Sequence, residues 1–391
     1  MKKIYMDHNA TTPLHPEALD AMLPFFNDDF GNPSSIHWAG RGVKKYVNEA
    51  REQVASLLNA DPSEITFTGG GSESDNLAIK GAAYALKKKG DHIITTQVEH
   101  PAVLNTCEYL EKSGYKVTYL HVDHEGLINL DELKDSITSN TVLISIMYSN
   151  NETGTLFPIK EVGEIAADKG ILFHTDAVQA AGKVPIDIKD LKVDLLSISG
   201  HKLYGPKGIG SLYVKKGTPL VPLIHGGHQE GGRRAGTENI PSIVGLGKSC
   251  EIAARDMESQ IKTITELRDK LHEGIINKLD YIKLNGHPAK RIPNTLNLSF
   301  EFIEGEALLL NLDLEGVAVS SGSACTSGSL KPSHVLTAMG ITPEIAQSSL
   351  RFSLGRNNTE EDVEYVLNVL PEIVNRLRSM SPLYSKKVKQ G

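Results

Sequence analysis

The sequence predicts an α/β protein in which a large domain holds a mostly parallel seven-stranded sheet between helices and a smaller domain is α+β. Between about residues 65 and 214, seven short apolar segments alternate with helical patterns, as in layered α/β domains. Most of these segments are continuously apolar, which is typical of strands buried on both faces of a parallel sheet. After about Arg255 the pattern changes to longer helices and alternating strands.

The seven predicted strands are rich in Val, Ile, Thr and Tyr, which favour extended structure. They are Ile65–Thr68, His92–Thr96, Val117–Val122, Val142–Met147, Ile171–His174, Asp194–Ser199 and Ile209–Val214. Between and before them, apolar residues recur at steps of three and four. One such helix runs from Val43 to Leu57, and another begins near Ile159 and ends at Gly170 as a C-cap.

The C-terminal part predicts the second domain. A long helical pattern runs from Met257 to Ile275, and a closing helix from Val363 to Leu377. Between them, Thr295–Phe300 and Ser348–Leu354 alternate like strands with one solvent-facing side. We therefore expect residues 15–255 to form the large domain. Residues 1–14 and 256–391 would form the small domain, including a loop at about 320–331.

Composition restricts the class of protein. The chain has 391 residues, 40% of them hydrophobic and 23% charged, which is close to the average for globular proteins. Its net charge of −7 argues against general nucleic-acid binding, which needs a basic surface. No apolar run is long enough for a membrane span or a signal peptide, so we expect no membrane association and a cytoplasmic location. Three cysteines do not make a disulfide framework.

The strongest local cluster follows the sixth predicted strand. In SISGHKLYGPKGIG, Ser199 and His201 offer polar groups and Lys202 lies in a glycine-rich turn. A lysine at a strand end is most often a solvated surface residue. Polar donors beside an apolar wall, however, can lower the pKa of an amine and position it to form a Schiff base. Lys207, in the same turn, is an alternative that the sequence leaves open.

Asp176 follows the fifth predicted strand, in ILFHTDAVQ. It lies near the carboxyl edge of the sheet, where open α/β sheets bind ligands, although it could instead cap the next helix. Beside a Schiff-base lysine, a carboxylate gains a specific role. In enzymes that use pyridoxal 5'-phosphate (PLP), it keeps the pyridine nitrogen protonated so that the ring can accept electrons.

Three other segments carry polar groups at strand ends. In TGGGSESDN, glycines precede a helix start, a pattern that binds anions, although Ser72 and Asp75 also fit a capping box. His100 in VEHP could stack on a flat ring and move protons, or could simply begin a helix. The SNNETG turn, which contains Asn151, could place polar groups at the same edge of the sheet, or it could be only a turn.

Cys325 differs from the other two cysteines. It lies in SSGSACTSGS, among small polar residues with nothing apolar to bury it, whereas Cys107 and Cys250 lie in helical patterns typical of buried, inert thiols. A thiol on such a loop is accessible and could enter a site and leave it. Because an unperturbed thiol has a pKa of roughly 8.5, the site should supply a base or a cation. The segment HVDHE, beginning at His121, has metal-ligand residue types but no partner set, so we expect no metal site.

Taken together, these motifs resemble the NifS-type cysteine desulfurases, which are class V aminotransferase-like PLP enzymes of fold-type I. The resemblance covers nearly the whole chain. It rests on DHNATTP, GNPSSIH, GGGSESDN, VEHPAV, NNETGTLFPI, HTDAVQAAGKVPID, SGHKLYGPKGIG, GGHQEGGRRAGTEN, SSGSACTSGS and LRFSLGR. The cysteine loop is similar to that of the subgroup with a long mobile loop. One departure is GGG where many relatives have GAT or CGT, so that Ser72 would replace a threonine hydroxyl toward the phosphate.

The resemblance implies a PLP site with the following roles. Lys202 would bind PLP covalently and shuttle protons, Asp176 would pair with the pyridine nitrogen, and Gln179 would hydrogen-bond the phenolic oxygen. His100 would stack on the ring and act as an acid or base. The phosphate would be held by Gly71, Ser72, Ser199, His201 and, from the partner subunit of a homodimer, a threonine that matches Thr237. Asn151 and Arg351 would hold the substrate carboxylate.

The resemblance also implies the reaction. L-cysteine would give L-alanine, and Cys325 would take the sulfur as a persulfide for an iron–sulfur scaffold protein or another acceptor. An iron–sulfur cluster could be bound transiently through Cys325 with such a scaffold. The alternatives are a selenocysteine lyase or another PLP-dependent transaminase of the same fold, which would not need Cys325 in the same way. A sulfur carrier without PLP and a phosphate-binding hydrolase are the alternatives from other classes.

Overall fold

The computed structural model describes residues 2–321 and 332–388 and has the alternating order that the sequence predicts. The strands are β1 (Ile4–Tyr5), β2 (Ile65–Thr68), β3 (His92–Thr96), β4 (Lys116–Leu120), β5 (Thr141–Ser145), β6 (Leu172–Asp176), β7 (Leu195–Ser199), β8 (Gly210–Val214), β9 (Ile282–Asn285), β10 (Thr295–Phe300), β11 (Val317–Ala318), β12 (Ser320–Ser321) and β13 (Ser349–Ser353). The helices are α1 (Pro16–Met22), α2 (Pro24–Asn27), α3 (Trp38–Leu58), α4 (Gly71–Ala85), α5 (Pro101–Lys112), α6 (Leu130–Ser136), α7 (Ile159–Lys169), α8 (Ile188–Leu191), α9 (Ile240–Lys278), α10 (Gly305–Leu314), α11 (His334–Ala338), α12 (Pro343–Gln347), α13 (Glu360–Ser379) and α14 (Pro382–Val388).

The seven predicted strands form one sheet, in the order β2-β8-β7-β6-β5-β3-β4. β8 runs antiparallel to both neighbours and the other pairs are parallel, so the predicted mostly parallel sheet is confirmed. Helices cover both faces. Leu196 packs in a buried cluster with residues of α3, α7 and α9, while the preceding Leu195 packs with residues of α4 and α5 on the other face. This alternation explains why the strands read as continuously apolar.

The predicted helices are also present. The stripe from Val43 to Leu57 is the buried side of α3. α7 ends at Gly170, which has the left-handed φ of 62° expected of a glycine C-cap and donates its N–H to the carbonyl of Ala166. The long helix predicted from Met257 begins earlier than expected, because α9 starts at Ile240 and runs without interruption through Arg255.

The C-terminal strands form a smaller antiparallel sheet, in the order β12-β13-β10-β9, and β1 pairs with β11. One face packs against α9, α10 and α13 in a second hydrophobic core that also contains Ile4 and Met6. Val335, Leu336 and other residues of α11 and α12 belong instead to the core beside the large sheet. The division into 15–255 and 1–14 plus 256–391 stays a prediction. Within the described residues, no helix is both long and apolar enough to cross a membrane.

The prediction that the C-terminal strands have one solvent-facing side is wrong, because every residue of β10 and β13 is buried. The polar side of β10 lies against the loop after β5 and the N-terminal segment after β1. Asn297 donates from Nδ2 to the carbonyl of Glu152 at 3.1 Å, and Thr295 Oγ1 accepts from Asn9 Nδ2 at 2.8 Å. The alternating polar residues are therefore buried partners rather than surface residues, a distinction that periodicity alone does not make.

We predict that Asn297→Ala lowers the free energy of unfolding by about 1–3 kcal/mol, because it leaves buried polar groups without partners. Asn277, exposed near the end of α9, is the matched control, and its change to Ala should stay within about 0.5 kcal/mol. Chemical denaturation of both variants measures the difference. Equal stabilities would contradict the view that this polar face is held by its hydrogen bonds.

Candidate active site

A cavity of about 430 Å³ lies at the carboxyl ends of the parallel strands, within the range usual for small-molecule sites. Ten of the predicted residues line it, namely Gly71, Ser72, His100, Asn151, Asp176, Gln179, Ser199, His201, Lys202 and Arg351. Thr237 is exposed and does not line this cavity of its own chain. Cys325 lies outside the described residues, between Ser321 and Pro332.

Asp176 is the last residue of β6, in the middle of the sheet, and is 6% exposed. Its Oδ1 accepts from the backbone N–H of Val178 at 2.9 Å, so it also orders the turn that follows. Burial raises the pKa of this carboxyl, whereas the charges of His100 and Lys202 and the Val178 hydrogen bond lower it. Asp176 is thus a buried acid held beside cationic partners, as a carboxylate facing a protonated ring requires.

Lys202 ends the short 3₁₀ turn Gly200–Lys202 that follows β7 directly. Its Nζ donates to the carbonyl of Ala10 at 2.7 Å and to the carbonyl of Asn9. These contacts hold the amine inside the cavity. Lys207, the alternative from the sequence, is exposed and does not line the cavity. The geometry therefore favours Lys202 as the amine that could bind a carbonyl compound here.

His100 combines the two interpretations that the sequence left open. It is the N-cap of α5, where its Nδ1 accepts from the N–H of Ala102 at 3.1 Å, and it also lines the cavity. Because Nδ1 accepts a hydrogen bond, the neutral ring carries its proton on Nε2. Burial lowers the pKa of His100, which the charge of Asp176 raises and those of Lys202 and His334 lower further.

The start of α4 is suited to a phosphate. α4 begins at Gly71 after Gly70, which has a φ of 148° and makes no side-chain cap, so the first amides of the helix have no partner from a capping side chain. The predicted capping box from Ser72 and Asp75 is not formed. A Cβ at Gly71 would lie 2.8 Å from Val178 Cγ2, so glycine permits this close approach. Amides and dipole at such an end favour an anion.

Ser199 and His201 line the same cavity, and the Cβ of Ser199 would lie 3.4 Å from a Cβ at Gly71. Ser199 is the last residue of β7, and His201 follows in the 3₁₀ turn. Burial and the charges of Lys202, Lys207 and Lys183 lower the pKa of His201 to about 4. The ring is therefore neutral at neutral pH, and it can act only as a hydrogen-bonding group toward an anion.

Arg351 is carried into the cavity by β13 of the smaller sheet. Its Nη1 donates to the carbonyl of Asn151 at 3.0 Å, and its Nη2 to Asp7 Oδ1 at 2.8 Å. Among the described residues its buried Nε has no hydrogen-bond partner. An arginine fixed in this way offers a planar donor set for a carboxylate.

Gln179 is held from both ends. Its Oε1 accepts from Lys183 Nζ at 2.9 Å, and its Nε2 donates to the carbonyl of Asn9 at 3.0 Å. Burial lowers the pKa of Lys183 to about 7, with smaller effects from the charges of Lys202 and Arg351. The amide is therefore oriented with its N–H₂ group toward the Asn9 carbonyl that Lys202 also contacts.

Several cavity residues were missed by the sequence interpretation: Asn9, Asp75, Glu152 and His334. Asp75 was considered only as a cap, yet it is 1% exposed. Burial and the charge of Asp176 hold the pKa of its carboxyl well above the usual value. Asn9 lies in the DHNATTP motif, which was noted only as part of the resemblance. For Glu152 a signal existed, because it lies within the SNNETG segment that was singled out for Asn151.

The predicted absence of a metal site concerns HVDHE. There, exposed His121 contacts Glu132 through Nδ1 at 2.7 Å. In the part of the chain that the structure describes, no group of three or more His, Cys, Asp or Glu residues could hold a metal ion.

The cavity residues fit PLP. An amine at Lys202, a buried carboxylate at Asp176, an imidazole at His100 and a glycine-rich helix start at Gly71 supply a partner for each part of that cofactor. Arg351 adds a guanidinium to the same cavity, a group whose planar donors suit a carboxylate. These residues do not match the phosphate-binding loop of a nucleotide-binding hydrolase, because the glycine segment lacks the lysine and the hydroxyl residue that end such a loop.

Comparisons with known proteins give the same assignment. The class-V aminotransferase family matches residues 4–366. Cysteine desulfurase IscS of Methanosarcina thermophila is 56% identical over 386 residues, which cover 99% of this chain and 95% of that protein. A cysteine desulfurase IscS of Clostridium botulinum is 55% identical over 390 residues, with 99% and 98% coverage.

Solved structures are similar along nearly the whole chain. A NifS-like protein aligns with a TM-score of 0.91 and 41% identity, covering 96% of this chain and all of that one (100%). SspA in complex with cysteine aligns with a TM-score of 0.81 and 42% identity, covering 90% and 99%. The chain therefore belongs to the class-V aminotransferase family and, within it, to the PLP-dependent cysteine desulfurases.

Proposed function

We propose that the cavity residues carry out the separate steps of the desulfurase reaction in the roles expected from the sequence. We also propose that Cys325 receives the sulfur of L-cysteine as a persulfide. The observation that carries this is the convergence of Lys202, Asp176, His100 and Arg351 on one cavity. Ser321, just before the Cys325 segment, also lines that cavity, as does His334, just after it. Described residues on both sides of the Cys325 segment therefore lie at the site.

The first steps use residues whose geometry is described above. Arg351 and Asn151 bind the substrate carboxylate, Arg351 through the guanidinium that Asp7 fixes. Asp176 would hold the protonated ring nitrogen of PLP. PLP supplies an electron sink for the negative charge that forms at the substrate's α-carbon. Lys202 removes the α-proton of the substrate and returns protons later. His100 acts as a proton donor through its Nε2–H. Gln179 and the start of α4 hold the phenolic oxygen and the phosphate.

Sulfur transfer follows. The thiolate sulfur of Cys325 forms a bond to the substrate sulfur, and the bond between that sulfur and its carbon breaks. The electron pair stays with carbon, which takes a proton to give L-alanine, while Cys325 retains both sulfur atoms as a persulfide. A thiol of an acceptor protein, or a reductant, then takes the outer sulfur. Cys107 and Cys250 are unsuited to this role, because both are buried and burial raises the pKa of each to about 12.

A homodimer completes the site in this proposal. Phe30, Ile36 and Trp38 are large apolar residues with exposed fractions of 69%, 88% and 76%. Large exposed apolar residues of this kind suit a protein interface. The loop with Thr237 is anchored nearby, since Glu230 bonds Arg51 of α3 through both oxygens. Thr237 is exposed and does not line the cavity of its own subunit. We therefore assign it to the binding of the phosphate in the cavity of the partner subunit.

The destination of the sulfur is proposed from the relatives. Proteins named IscS at 52–56% identity support iron–sulfur cluster assembly, with a scaffold protein as acceptor and a cluster held transiently through Cys325. A cytoplasmic location fits this role. A selenocysteine lyase or transaminase activity is the second candidate, because most of the cavity set serves any PLP enzyme of this fold.

Cys325→Ser separates these activities. We predict that it lowers sulfide and alanine formation from L-cysteine about 10³-fold or more, because the sulfur acceptor is lost. Transamination and the spectral response to L-cysteine should remain. Cys107→Ala and Cys250→Ala are the matched controls and should retain the activity. A Cys325→Ser enzyme with wild-type alanine formation would contradict the persulfide proposal.

Thr237 is tested by mixing subunits. Thr237→Ala should weaken PLP binding through the phosphate, and Lys202→Ala should abolish activity. Dimers that pair one Thr237→Ala subunit with one Lys202→Ala subunit are made by co-refolding or co-expression. If Thr237 serves the partner's site, one of the two sites in such a mixed dimer contains neither change. Activity at limiting PLP should then reappear. If no activity returns, although mass spectrometry shows mixed dimers, the assignment of Thr237 to the partner is wrong.

A further inference from the structure

His334 is a cavity residue to which the proposed reaction assigns no role. It is the first residue of α11 and lines the cavity near the start of α5. Its Nε2 lies 3.0 Å from the carbonyl oxygen of Glu99. A carbonyl oxygen only accepts hydrogen bonds, so Nε2 carries a proton and the neutral ring leaves Nδ1 as an acceptor. Nδ1 has no hydrogen-bond partner within residues 2–321 and 332–388.

The neutral imidazoles of His334 and His100 are therefore opposite tautomers. His100 Nδ1 is occupied by the amide of Ala102, so its remaining nitrogen is a donor. His334 Nε2 is occupied by the Glu99 carbonyl, so its remaining nitrogen is an acceptor. The cavity thus holds one imidazole arranged to give a proton and one arranged to take a proton.

Glu152 gives His334 a charged neighbour. It is 2% exposed and lines the same cavity. Its Oε2 accepts from Ser333 Oγ at 2.5 Å, and Ser333 also caps α11, so this contact fixes the start of the helix that carries His334. Its Oε1 is buried without a hydrogen-bond partner among the described residues. A buried oxygen of this kind can stabilise a positive charge that forms beside it.

The chemistry of the cavity needs a proton acceptor. An ordinary thiol has a pKa of roughly 8.5, so only a few per cent is thiolate at neutral pH. Lys202 is committed to PLP and to the α-proton, and His100 presents a donor. Among the described residues that line the cavity, His334 is an imidazole with its basic nitrogen available.

We infer that His334 is a further catalytic residue whose Nδ1 accepts the proton of the thiol that reacts in this cavity, and that Glu152 stabilises the resulting imidazolium. The S–H bond breaks, an N–H bond forms at Nδ1, and the electron pair stays on sulfur as the thiolate. The proton is later released to solvent. This inference rests on the proposed function, because it assigns a role in the same reaction.

Titratable groups face His334 from several elements, and burial raises the pKa of one of them, Glu99, to about 8. Glu99 faces it from the segment before α5, His100 from the start of α5, and Glu152 from the loop after β5. Arg351 is the next charge beyond Glu152. Burial raises the pKa of Glu152, and the Ser333 hydroxyl and the charges of His334 and Arg351 lower it. An ionised Glu152 therefore stabilises a positive charge on the His334 ring.

The test measures alanine formation from L-cysteine between pH 6 and 9 in holoenzymes. His334→Gln can still donate to the Glu99 carbonyl but cannot accept a proton, so the rate at pH 7 should fall about 10²-fold. Much of this loss should disappear toward pH 9, where the thiol ionises unaided. Added imidazole should partly restore the rate of His334→Ala. His121→Gln, at an exposed histidine, is the control and should match wild type.

Glu152→Gln provides a separate readout. Removing its charge takes away the group that stabilises the positive charge formed on the His334 ring, so the acidic limb of the profile should move to lower pH. A merely structural role for Glu152 would lower the rate at every pH without moving the limb, and that result would overturn its assignment. PLP absorbance should be unchanged in the His334 variants.

Two sources of the thiol are distinguished in a Cys325→Ala background. If the substrate thiol is deprotonated, His334→Gln should alter the pH dependence of the spectral change on L-cysteine binding even there. If His334 instead deprotonates the attacking thiol of Cys325, His334→Gln should change only the formation of alanine, and only in the enzyme that retains Cys325. Either outcome supports the inference. A wild-type profile for His334→Gln would overturn it. Absence of alanine from the wild-type enzyme would instead overturn the proposed function on which it rests.

Discussion

The structure depends on burying carboxyl groups at the end of its central strands. Asp176 ends β6 beside Asp75, and burial together with the charge of Asp176 raises the pKa of the second carboxyl. Two such groups are costly in a cavity unless cations approach them or one takes a proton. Lys202 and His100 lower the pKa of Asp176, and a protonated pyridine ring would supply a further cation beside Lys202. The cavity is thus electrostatically prepared for PLP.

The smaller sheet is tied to this site through Asn9. The backbone carbonyl of Asn9 accepts from Lys202 and Gln179, and its side chain bonds Thr295 and Asn294. The same sheet carries Arg351 on β13. Because these contacts are polar and buried, the position of Arg351 relative to Lys202 follows from the hydrogen bonds that Asn9 makes to both parts of the fold. The buried polar side of β10 is the structural consequence.

Much of the fold and most of the site follow from the sequence. Continuously apolar segments predict β2–β8, and the carboxyl edge of a parallel sheet brings Asp176, Ser199 and His100 together. The polar side of β10 was predicted incorrectly, because alternation does not say whether water or another domain lies opposite. Asn9 and His334 were missed for a different reason. Their roles come from a backbone carbonyl and from a ring nitrogen, which no local residue pattern reports.

The central claim is that Lys202 is the amine that binds PLP in this cavity. The most direct measurement is borohydride reduction of the purified holoenzyme, followed by proteolysis and mass spectrometry, because reduction makes the lysine–PLP bond permanent. The account predicts a pyridoxyl phosphate mass increase on the peptide at Lys202 alone. An increase on Lys207, or the absence of any adduct in protein saturated with PLP, would contradict the account.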